Sequence, residues 1–592
     1  MKSWPAKAVL LAGVAAFVVA IPALSQERDA PESLLPEGFG DPQNLPPPEN
    51  KAAPRPAPAA PAPSVTPLPE EEGEEDEEEL DPLAGPRPTN YFAIPPGTVR
   101  PVDVVGVLEP GNHGLGADAF GRTGGAYLAA LMRRLDAPLP SRWASILLRR
   151  ALLSRLAAPS GVHPVDWVAE RADLLLRMGE ADAARMLVQS VDQPNYTPRM
   201  VEVAARTALA TADIAGLCPL AGASRSREAA WVLSEAMCAA LESEPARASA
   251  LIDQARNAGA SGIDLSLAEK VVGAGGEARR SAALVWDNVG ELNAWRFGLA
   301  SATGAEIPAR LMAGAGPQMQ AWFARAPMLA PEQRADAAAV AAALGVFSSQ
   351  SFVELHSLIL DRADPTEIAG SVGARLRAAW TGGSVDERLE ALRALWSEPE
   401  AAHLRYARLV LTAGAAARVE PAADHSADSA NLVAAMLSAG LDRRAARWGG
   451  IVQEAGEQQA WAMLAVGAPD AGAVEITPSR IEDYINATGG RRAQLVVAAL
   501  IGLGRVGDAD APGLARAAGI ELGGSDRWSD AIERAARERQ PGRVALLAAI
   551  GMQTGDWSGV PPHYLLRIVR ALRQVGMDFE ARMIAAEAVA RL

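Results

Sequence analysis

Small and apolar residues recur at fixed distances from four turn residues along the chain. In each copy they lie five, nine and twelve positions after the turn residue, and four and seven positions before it. The copies are Val569, Leu572, Gly576, Ala581, Ala585 and Ala588; Val433, Met436, Gly440, Ala445, Gly449 and Val452; Ala172, Leu175, Gly179, Ala184, Val188 and Val191; and, more weakly, Ala236, Ala239, Ser243, Ala248, Ile252 and Ala255. Because side chains three or four residues apart share one helix face, each copy predicts two helices that meet at a tight turn. We therefore predict an all-α fold, a superhelical array of antiparallel helical hairpins (an α-solenoid).

The helical pattern covers most of the chain from about Gly124 onward. Residues 143–156 have apolar positions on two faces, which is typical of a helix packed between neighbours. Further hairpins or helices are predicted over 166–191, 226–258, 330–360, 385–413 and 427–457, with Gly/Pro-rich loops near 414–424 and 468–478. We therefore predict an extended lead-in over 98–122 and an α-helical repeat domain over 123–592.

The N-terminal segment, 1–25, has the pattern of an export signal. Lys2 and Lys7 precede an apolar stretch that ends at Pro22, and residues 23–25 (Ala-Leu-Ser) resemble a signal-peptidase site. The alternative is an uncleaved membrane anchor, because the uncharged stretch is long enough to span a bilayer. Either way, we expect the bulk of the chain outside the cytoplasm, periplasmic or secreted, or anchored to the inner membrane and facing the periplasm.

Residues 26–97 are predicted to be a disordered Pro-rich and acidic spacer. Of the 43 prolines, 18 lie between Pro31 and Pro96, and an acidic run extends from Glu70 to Glu79 with only Gly73 interrupting it. Such a segment lacks the apolar side chains that would offset the entropy lost on ordering. The acidic run is a candidate to bind cations or a basic partner, although like-charge runs are usually solvated.

The charge of the helical part of the chain argues against a nucleic-acid partner. The net charge of the chain is −15, and most of it comes from the segment before residue 98. The helical part is close to neutral and has no run of basic residues. Lys270 is the only lysine after Lys51, which indicates a codon preference for arginine.

Two cysteines, Cys218 and Cys238, are candidates for a disulfide in an oxidising compartment. If Ser226 caps the next helix, Cys238 lies about 18 Å along its axis, which Cys218 reaches only if the intervening loop folds back. The alternative is two buried small apolar side chains.

At the turns around Gly179 and Gly576 the chain resembles the tetratricopeptide repeat family, whose helix-turn-helix unit repeats about every 34 residues. Gly440 and Gly576 are separated by four such periods. The resemblance departs from the family between 243 and 440, where clear copies are missing, and the family's Trp-Leu-Gly-Tyr helix opening is not reproduced. It implies stacked helical hairpins and a role in holding protein partners.

Motifs for catalysis or cofactor binding are few. Residues 502–507 read G-x-G-x-x-G, but a helix pattern precedes them and Pro512 follows, so we predict a hairpin turn and not a dinucleotide site. The six histidines are isolated from one another and from cysteine. We predict no cofactor, no metal and no catalytic residue from sequence.

The most distinctive local composition lies between Trp286 and Met328. Aromatic, arginine and methionine side chains concentrate there, and this chemistry is typical of binding hot spots. The candidate partner-binding residues are Trp295, Arg296, Phe297, Trp322 and Phe323. The alternative is that these aromatic side chains pack the core of a helix pair.

These features together predict a periplasmic helical-repeat scaffold or adaptor that binds protein partners, for example in organising the cell envelope. The membrane would be involved only through an N-terminal segment that remains uncleaved. The alternative is a cell-envelope enzyme that acts on glycan, with active residues scattered over a helical fold.

Overall fold

A computed structural model describes residues 99–222, 228–275 and 283–592 of the chain. All of them belong to one compact unit, Thr89–Leu592. The predictions for residues 1–25 and 26–97 lie outside the described residues.

The described chain begins with a short two-stranded sheet. Strand β1, Val104–Val105, pairs antiparallel with β2, Leu156–Ala157. Val104 lies opposite Ala157, and Val105 lies opposite Leu156. The predicted helix over 143–156 therefore ends earlier, because residues 156 and 157 pair with β1.

The remaining structure is helical, with 28 α-helices in the residues that the structure describes. The first nine are α1 Gly125–Arg134, α2 Arg142–Leu153, α3 Pro164–Arg177, α4 Ala181–Val188, α5 Pro198–Ala210, α6 Cys218–Ala221, α7 Ala229–Leu241, α8 Pro245–Asn257 and α9 Gly262–Gly275. The next nine are α10 Ala294–Ala302, α11 Ala309–Gly314, α12 Pro317–Arg325, α13 Pro331–Leu344, α14 Ser349–Arg362, α15 Val372–Thr381, α16 Val385–Ser397, α17 Ala402–Ala416 and α18 Ser429–Ser438. The last ten are α19 Asp442–Ala446, α20 Gly449–Ala455, α21 Gln458–Gly467, α22 Pro478–Thr488, α23 Gly490–Gly502, α24 Ala511–Ala517, α25 Arg527–Arg537, α26 Pro541–Gly551, α27 Pro562–Gln574 and α28 Asp578–Ala590. The predicted all-α helical array is confirmed.

The four turn residues found in the sequence all adopt left-handed backbone conformations. Their φ angles are 86° at Gly179, 76° at Gly440, 84° at Gly576 and 63° at Ser243. In each turn the next residue donates its N–H to the carbonyl five positions before it; these bonds are Glu180–Leu175 2.9 Å, Leu441–Met436 2.9 Å, Met577–Leu572 2.9 Å and Glu244–Ala239 2.8 Å. This is the Schellman closure of a helix C-terminus. The small and apolar positions flanking all four turns are buried.

A fifth copy of this hairpin, formed by α25 and α26, was not predicted from the sequence. Its turn residue is Arg539, with a φ of 54°, and Gln540 N–H donates to the Ala535 carbonyl over 3.0 Å. The expected positions hold buried residues, namely Ile532, Ala535, Val544, Ala548 and Gly551. It was not predicted because an arginine occupies the turn position, where a small residue was expected.

The last helices of the chain pack against one of the first. Helix α2 contacts both α26 and α28, and α28 also contacts α18, α21, α23 and α27. Among the described residues, no helix is long and apolar enough to cross a membrane.

Candidate functional site

A cavity with a volume of about 910 Å³ lies beside α2. We call it the main cavity. Its lining includes Trp143, Ile146, Glu180, Met186, Val346 and Trp380. These side chains come from α2, α4, α15 and the turns before α4 and α14. The cavity is therefore assembled from segments that are remote from one another in the sequence.

Three hairpin turns border the main cavity, and two of them pack closely on α2. A Cβ atom at Gly345, where φ is 93°, would lie 3.0 Å from the Arg142 carbonyl oxygen. A Cβ at Gly440 would lie 3.0 Å from the ring of Trp143. The third turn, at Gly179, places Glu180 in the cavity wall. Helix α2 with the turns at Gly345 and Gly440, and with Glu587 described next, is called the α2 hub below.

The N-terminus of α2 is capped by a carboxylate from the last helix. Glu587 in α28 accepts hydrogen bonds from the backbone N–H of Arg142 (2.8 Å), the N–H of Trp143 (3.1 Å) and the Ser141 hydroxyl (2.7 Å). The Ser141 hydroxyl oxygen accepts in turn from Ala144 N–H over 3.1 Å. Because the first N–H groups of a helix lack partners within it and attract negative charge, a buried carboxylate stabilises this end strongly.

The Arg142 side chain joins the C-terminal ends of two other helices. Its guanidinium donates to the carbonyls of Phe347 (2.9 Å), Ser438 (3.2 Å) and Ala342. Ala342 lies in the last turn of α13, and Ser438 is the last residue of α18. The C-terminal carbonyls of a helix carry partial negative charge and so stabilise a cation. Burial lowers the pKa of Arg142, and these carbonyls supply the partners that the buried guanidinium requires.

Two ion pairs line the main cavity. Arg149 donates to the carboxylate of Glu180 over 2.6 Å and to the Gly345 carbonyl over 2.8 Å. Arg325 forms an ion pair with Asp182. Burial raises the pKa of Glu180, and the positive charge of Arg149 acts in the opposite direction. Both carboxylates of the cavity are therefore held by an arginine.

Two hydrogen-bond donors of the cavity lining have no acceptor within the described residues. The indole Nε1 atoms of Trp143 and Trp380 are buried and unpartnered. The side chains of Ile146 and Val346 add apolar surface next to them, and Met186 is 47% exposed. Apolar walls of this kind are typical of sites that hold a ligand by its shape.

The aromatic residues predicted to bind a partner lie together in α10 and α12 but do not form one exposed face. Phe297 and Trp322 are buried against each other, with ring centroids 5.8 Å apart. Trp295 donates its indole N–H to the Asp264 carbonyl over 3.3 Å. Arg296 binds the Asp264 carboxylate through two bonds of 2.8 and 2.9 Å. Only Trp295, Arg296 and Phe323 keep part of their surface exposed.

Phe323 lines a separate cavity of about 450 Å³. The burial of Phe297 and Trp322 agrees with the alternative interpretation, in which these aromatic side chains pack the core of a helix pair. Of the five predicted residues, Phe323, Trp295 and Arg296 are therefore the ones that a partner could contact.

The two cysteines form a disulfide in the structure. The sulfur atoms of Cys218 and Cys238 are 2.14 Å apart and their Cα atoms are 5.5 Å apart. Cys218 is the first residue of α6, and Cys238 lies in α7. Because α6 packs against α7, the distance of about 18 Å along the helix axis does not separate the two cysteines.

The G-x-G-x-x-G sequence forms a turn at the end of a helix. Helix α23 ends at Gly502, Gly504 has a φ of 65°, and Arg505 N–H donates to the Leu500 carbonyl over 2.9 Å. A helix, and not a strand, precedes these glycines, so the dinucleotide geometry is absent from 490–507. In the part of the chain that the structure describes, no group of three or more His, Cys, Asp or Glu side chains is placed to hold a metal ion.

Sequence reasoning missed the main cavity because its residues are remote from one another along the chain. The only local signals were the apolar positions on two faces of α2 and the glycine at 345. Neither indicates which distant turns meet there. Comparison of the chain with family models, curated proteins and solved structures finds no match.

Proposed function

We propose that this chain is an exported, tetratricopeptide-like helical scaffold that holds a segment of a protein partner in the main cavity. The observation that carries the proposal is the meeting of three hairpin turns at one cavity with apolar walls. Helical-repeat arrays commonly bind extended segments or helices on such surfaces.

The chemistry of the cavity suits a polypeptide. Ile146, Val346 and Met186 offer apolar surface to side chains, and methionine adapts its shape to different partners. The rings of Trp143 and Trp380 add further apolar surface to the cavity wall. The charged groups Glu180 and Asp182 already have arginine partners, so the cavity does not demand a charged ligand.

The proposed location is the periplasm or the exterior of the cell. The export-like pattern over 1–25 supports this location, and so does the Cys218–Cys238 disulfide, because disulfides persist in oxidising compartments. Thiol titration of the denatured, unreduced protein tests the disulfide. Two free thiols would contradict both the bond and this part of the argument.

Site-specific photo-crosslinking tests partner capture. A photoreactive amino acid replaces the exposed Met186 in the cavity wall, and a control carries it at Leu522, which is 36% exposed and does not line the cavity. We expect a reproducible set of proteins crosslinked from intact cells at position 186 and not at 522. Equal capture at both positions, or none at 186, would contradict the proposal.

A second variant separates binding from folding. Because Met186 is exposed, Met186→Glu leaves the core intact while placing a charge against the apolar walls. We expect the crosslinked partner, once identified, to bind this variant at least tenfold more weakly with an unchanged melting temperature. Unchanged affinity would show that the partner binds elsewhere.

One observation favours the second candidate, an enzyme acting on cell-envelope glycan. The main cavity holds two carboxylates, and burial raises the pKa of Glu180 as a general acid requires. Its bond to Arg149 opposes this role, because a general acid must be free to reach its substrate. Incubation with purified cell-wall glycan decides the matter: soluble fragments released by the wild type and not by Glu180→Gln would establish the enzyme.

A further inference from the structure

The cavity of about 450 Å³ that Phe323 lines is called the Phe323 cavity below. It lies between α11, α12, α13 and the segments that lead into α11 and α13. Its lining combines apolar, amide and carboxylate side chains, and none of the described residues that line it is arginine, lysine or histidine. It shares no lining residue with the main cavity, so the proposed scaffold function does not involve it.

Apolar side chains form the floor and the walls of the Phe323 cavity. Ile307, Leu329 and Ala337 line it and are no more than 9% exposed, so they form its floor. Met312 and Phe323 also line it and keep part of their surface exposed, so they form its walls. A partner that covers this surface removes apolar area from water on both sides of the contact.

The core packing of α12 explains why Phe323 reaches this cavity. Trp322 is buried against Phe297, with ring centroids 5.8 Å apart, and this contact fixes the face that α12 turns to the core. Successive helical residues point about 100° apart, so Phe323 lies beside that core and not within it. Met328, which precedes Leu329 of the floor, is 63% exposed. Methionine adapts its shape to a partner, and aromatic rings bury a large area in a contact.

Two carboxylates of the Phe323 cavity have no cation paired with them. Glu306 and Asp336 line the cavity and are exposed, so they lie at its rim. Neither forms a hydrogen bond or an ion pair with any residue that the structure describes. Asp336 is near enough to Arg408 to act on it electrostatically, but the Arg408 guanidinium pairs with Glu398 over 3.3 Å. In the main cavity, by contrast, arginines hold both carboxylates.

We propose that the Phe323 cavity docks a segment of another polypeptide in which apolar side chains lie next to lysine or arginine. The apolar side chains fill the cavity over its floor, and the cations pair with Glu306 and Asp336. The same carboxylates repel an anionic segment, so the acidic run over 70–79 of this chain has the wrong charge for the site.

Fluorescence anisotropy with the full chain tests the docking. The probe is a short labelled amphipathic peptide of leucine and lysine, at fixed ionic strength. We expect saturable binding that weakens about tenfold in the double variant Glu306→Gln/Asp336→Asn, because two exposed charge pairs contribute about that factor. The control, Glu454→Gln/Asp508→Asn, removes the same charge from exposed positions outside the cavity. The proposal is overturned if the peptide does not saturate the protein, or if both double variants weaken binding equally.

A second peptide tests the apolar floor. Serine replaces every leucine, so the charge of the peptide is unchanged. We expect this peptide to bind at least tenfold more weakly, because it has no apolar side chains to bury. Equal affinity of the two peptides would show that charge alone attracts them and would overturn the proposed docking.

A readout within the cavity keeps the test valid if the peptide also binds the acidic run over 70–79. In protein labelled with ¹³C at the methionine methyl groups, the resonance missing from Met312→Leu identifies Met312. We expect that resonance to shift on addition of the leucine-lysine peptide, because Met312 lies in the cavity wall. An unmoved Met312 resonance at saturating peptide would place the peptide elsewhere and overturn the proposal.

Discussion

The α2 hub and the aromatic segment over 286–328 use similar contacts at different distances along the chain. In the hub, Arg142 donates to a carbonyl 296 residues away, and its backbone N–H bonds a carboxylate 445 residues away. In the aromatic segment, Arg310 donates to a carbonyl 21 residues away, and Arg296 binds a carboxylate 32 residues away. The hub thus joins the first helices to the last, whereas Arg296 and Arg310 of the aromatic segment bond parts of the chain that are close in sequence.

This difference predicts how each region fails. Loss of a hub contact releases several helices at once, because α2 touches both early and late parts of the chain. Loss of the Arg296 or Arg310 bonds releases only parts of the chain that are close in sequence, which corresponds to local opening. Function that depends on the main cavity should therefore be sensitive to substitutions far from it in the sequence.

The largest effect is expected from Glu587→Ala. The substitution leaves two amides of α2, the Ser141 hydroxyl and the Arg591 guanidinium without their buried partner, and breaking a buried ion pair in this way costs about 3–5 kcal/mol. Urea unfolding should show this loss of stability, and hydrogen exchange should quicken in both α2 and α28. Glu454→Ala, at an exposed position of α20, is the control. A loss of stability no larger than that of the control would show that the hub does not couple the early helices to the late ones.

An intermediate, pH-dependent effect is expected from His356 in α14, the helix that begins at the main cavity. Burial, with a smaller contribution from Arg408, lowers the pKa of His356 to about 4 from 6.5. The unfolded chain therefore binds this proton first, and stability is lost as the pH falls from 6.5 to about 4. Between pH 7 and pH 5 this group alone costs about 2 kcal/mol.

His356→Leu should remove that part of the acid sensitivity. We expect the free energy of unfolding to fall about 2 kcal/mol less between pH 7 and pH 5 in the variant than in the wild type. His113→Leu, at an exposed position outside the α-helices, is the matched control. An identical pH dependence in wild type and His356→Leu would show that the buried imidazole does not drive acid destabilisation.

The smallest effect is expected from Arg296→Ala in the aromatic segment. Its bonds to Asp264 lie at a partly exposed position, where such pairs contribute only about 0.2–1 kcal/mol. The melting curve should therefore move little, as with Arg377→Ala, which breaks an exposed pair with Asp361. A loss of several kcal/mol would show that the aromatic segment is as strongly coupled to the array as the hub.

Local structure was predictable because it depends on neighbouring residues. The spacing around Gly179, Gly440 and Gly576 predicted both the helix pairs and the tight turns between them, and glycine tolerates the positive φ that these turns adopt. The turn at Arg539 was missed because its pattern of buried positions has an unexpected residue at the centre. The strand pairing at 156–157 was missed because its partner, β1, lies far earlier in the chain.

The hub and the cavities could not be predicted in the same way. Arg142 acts on backbone carbonyls, and every residue carries a carbonyl, so the sequence contains no mark of its partners. The same holds for Arg505, which donates to Ala465 and Ala468 at the end of α21, and for Arg177, which donates to Met132 and Leu135 at the end of α1. The sequence analysis attributed the many arginines to codon preference. In the structure, arginine side chains also donate hydrogen bonds to helix C-termini, where one guanidinium group spans two carbonyls.

The cap that Glu587 places on α2 has a consequence for the order in which the chain matures. At a synthesis rate of about 5–20 residues per second, the first turn of α2 exists for roughly 20–90 s before its carboxylate is made. During that interval the early helices are without their final partner, and the apolar face that later meets α26 and α28 is available to other molecules. A chain that is stalled or cleaved before α26 would keep that face uncovered, and one that lacks only Glu587 would leave the first amides of α2 without their carboxylate cap.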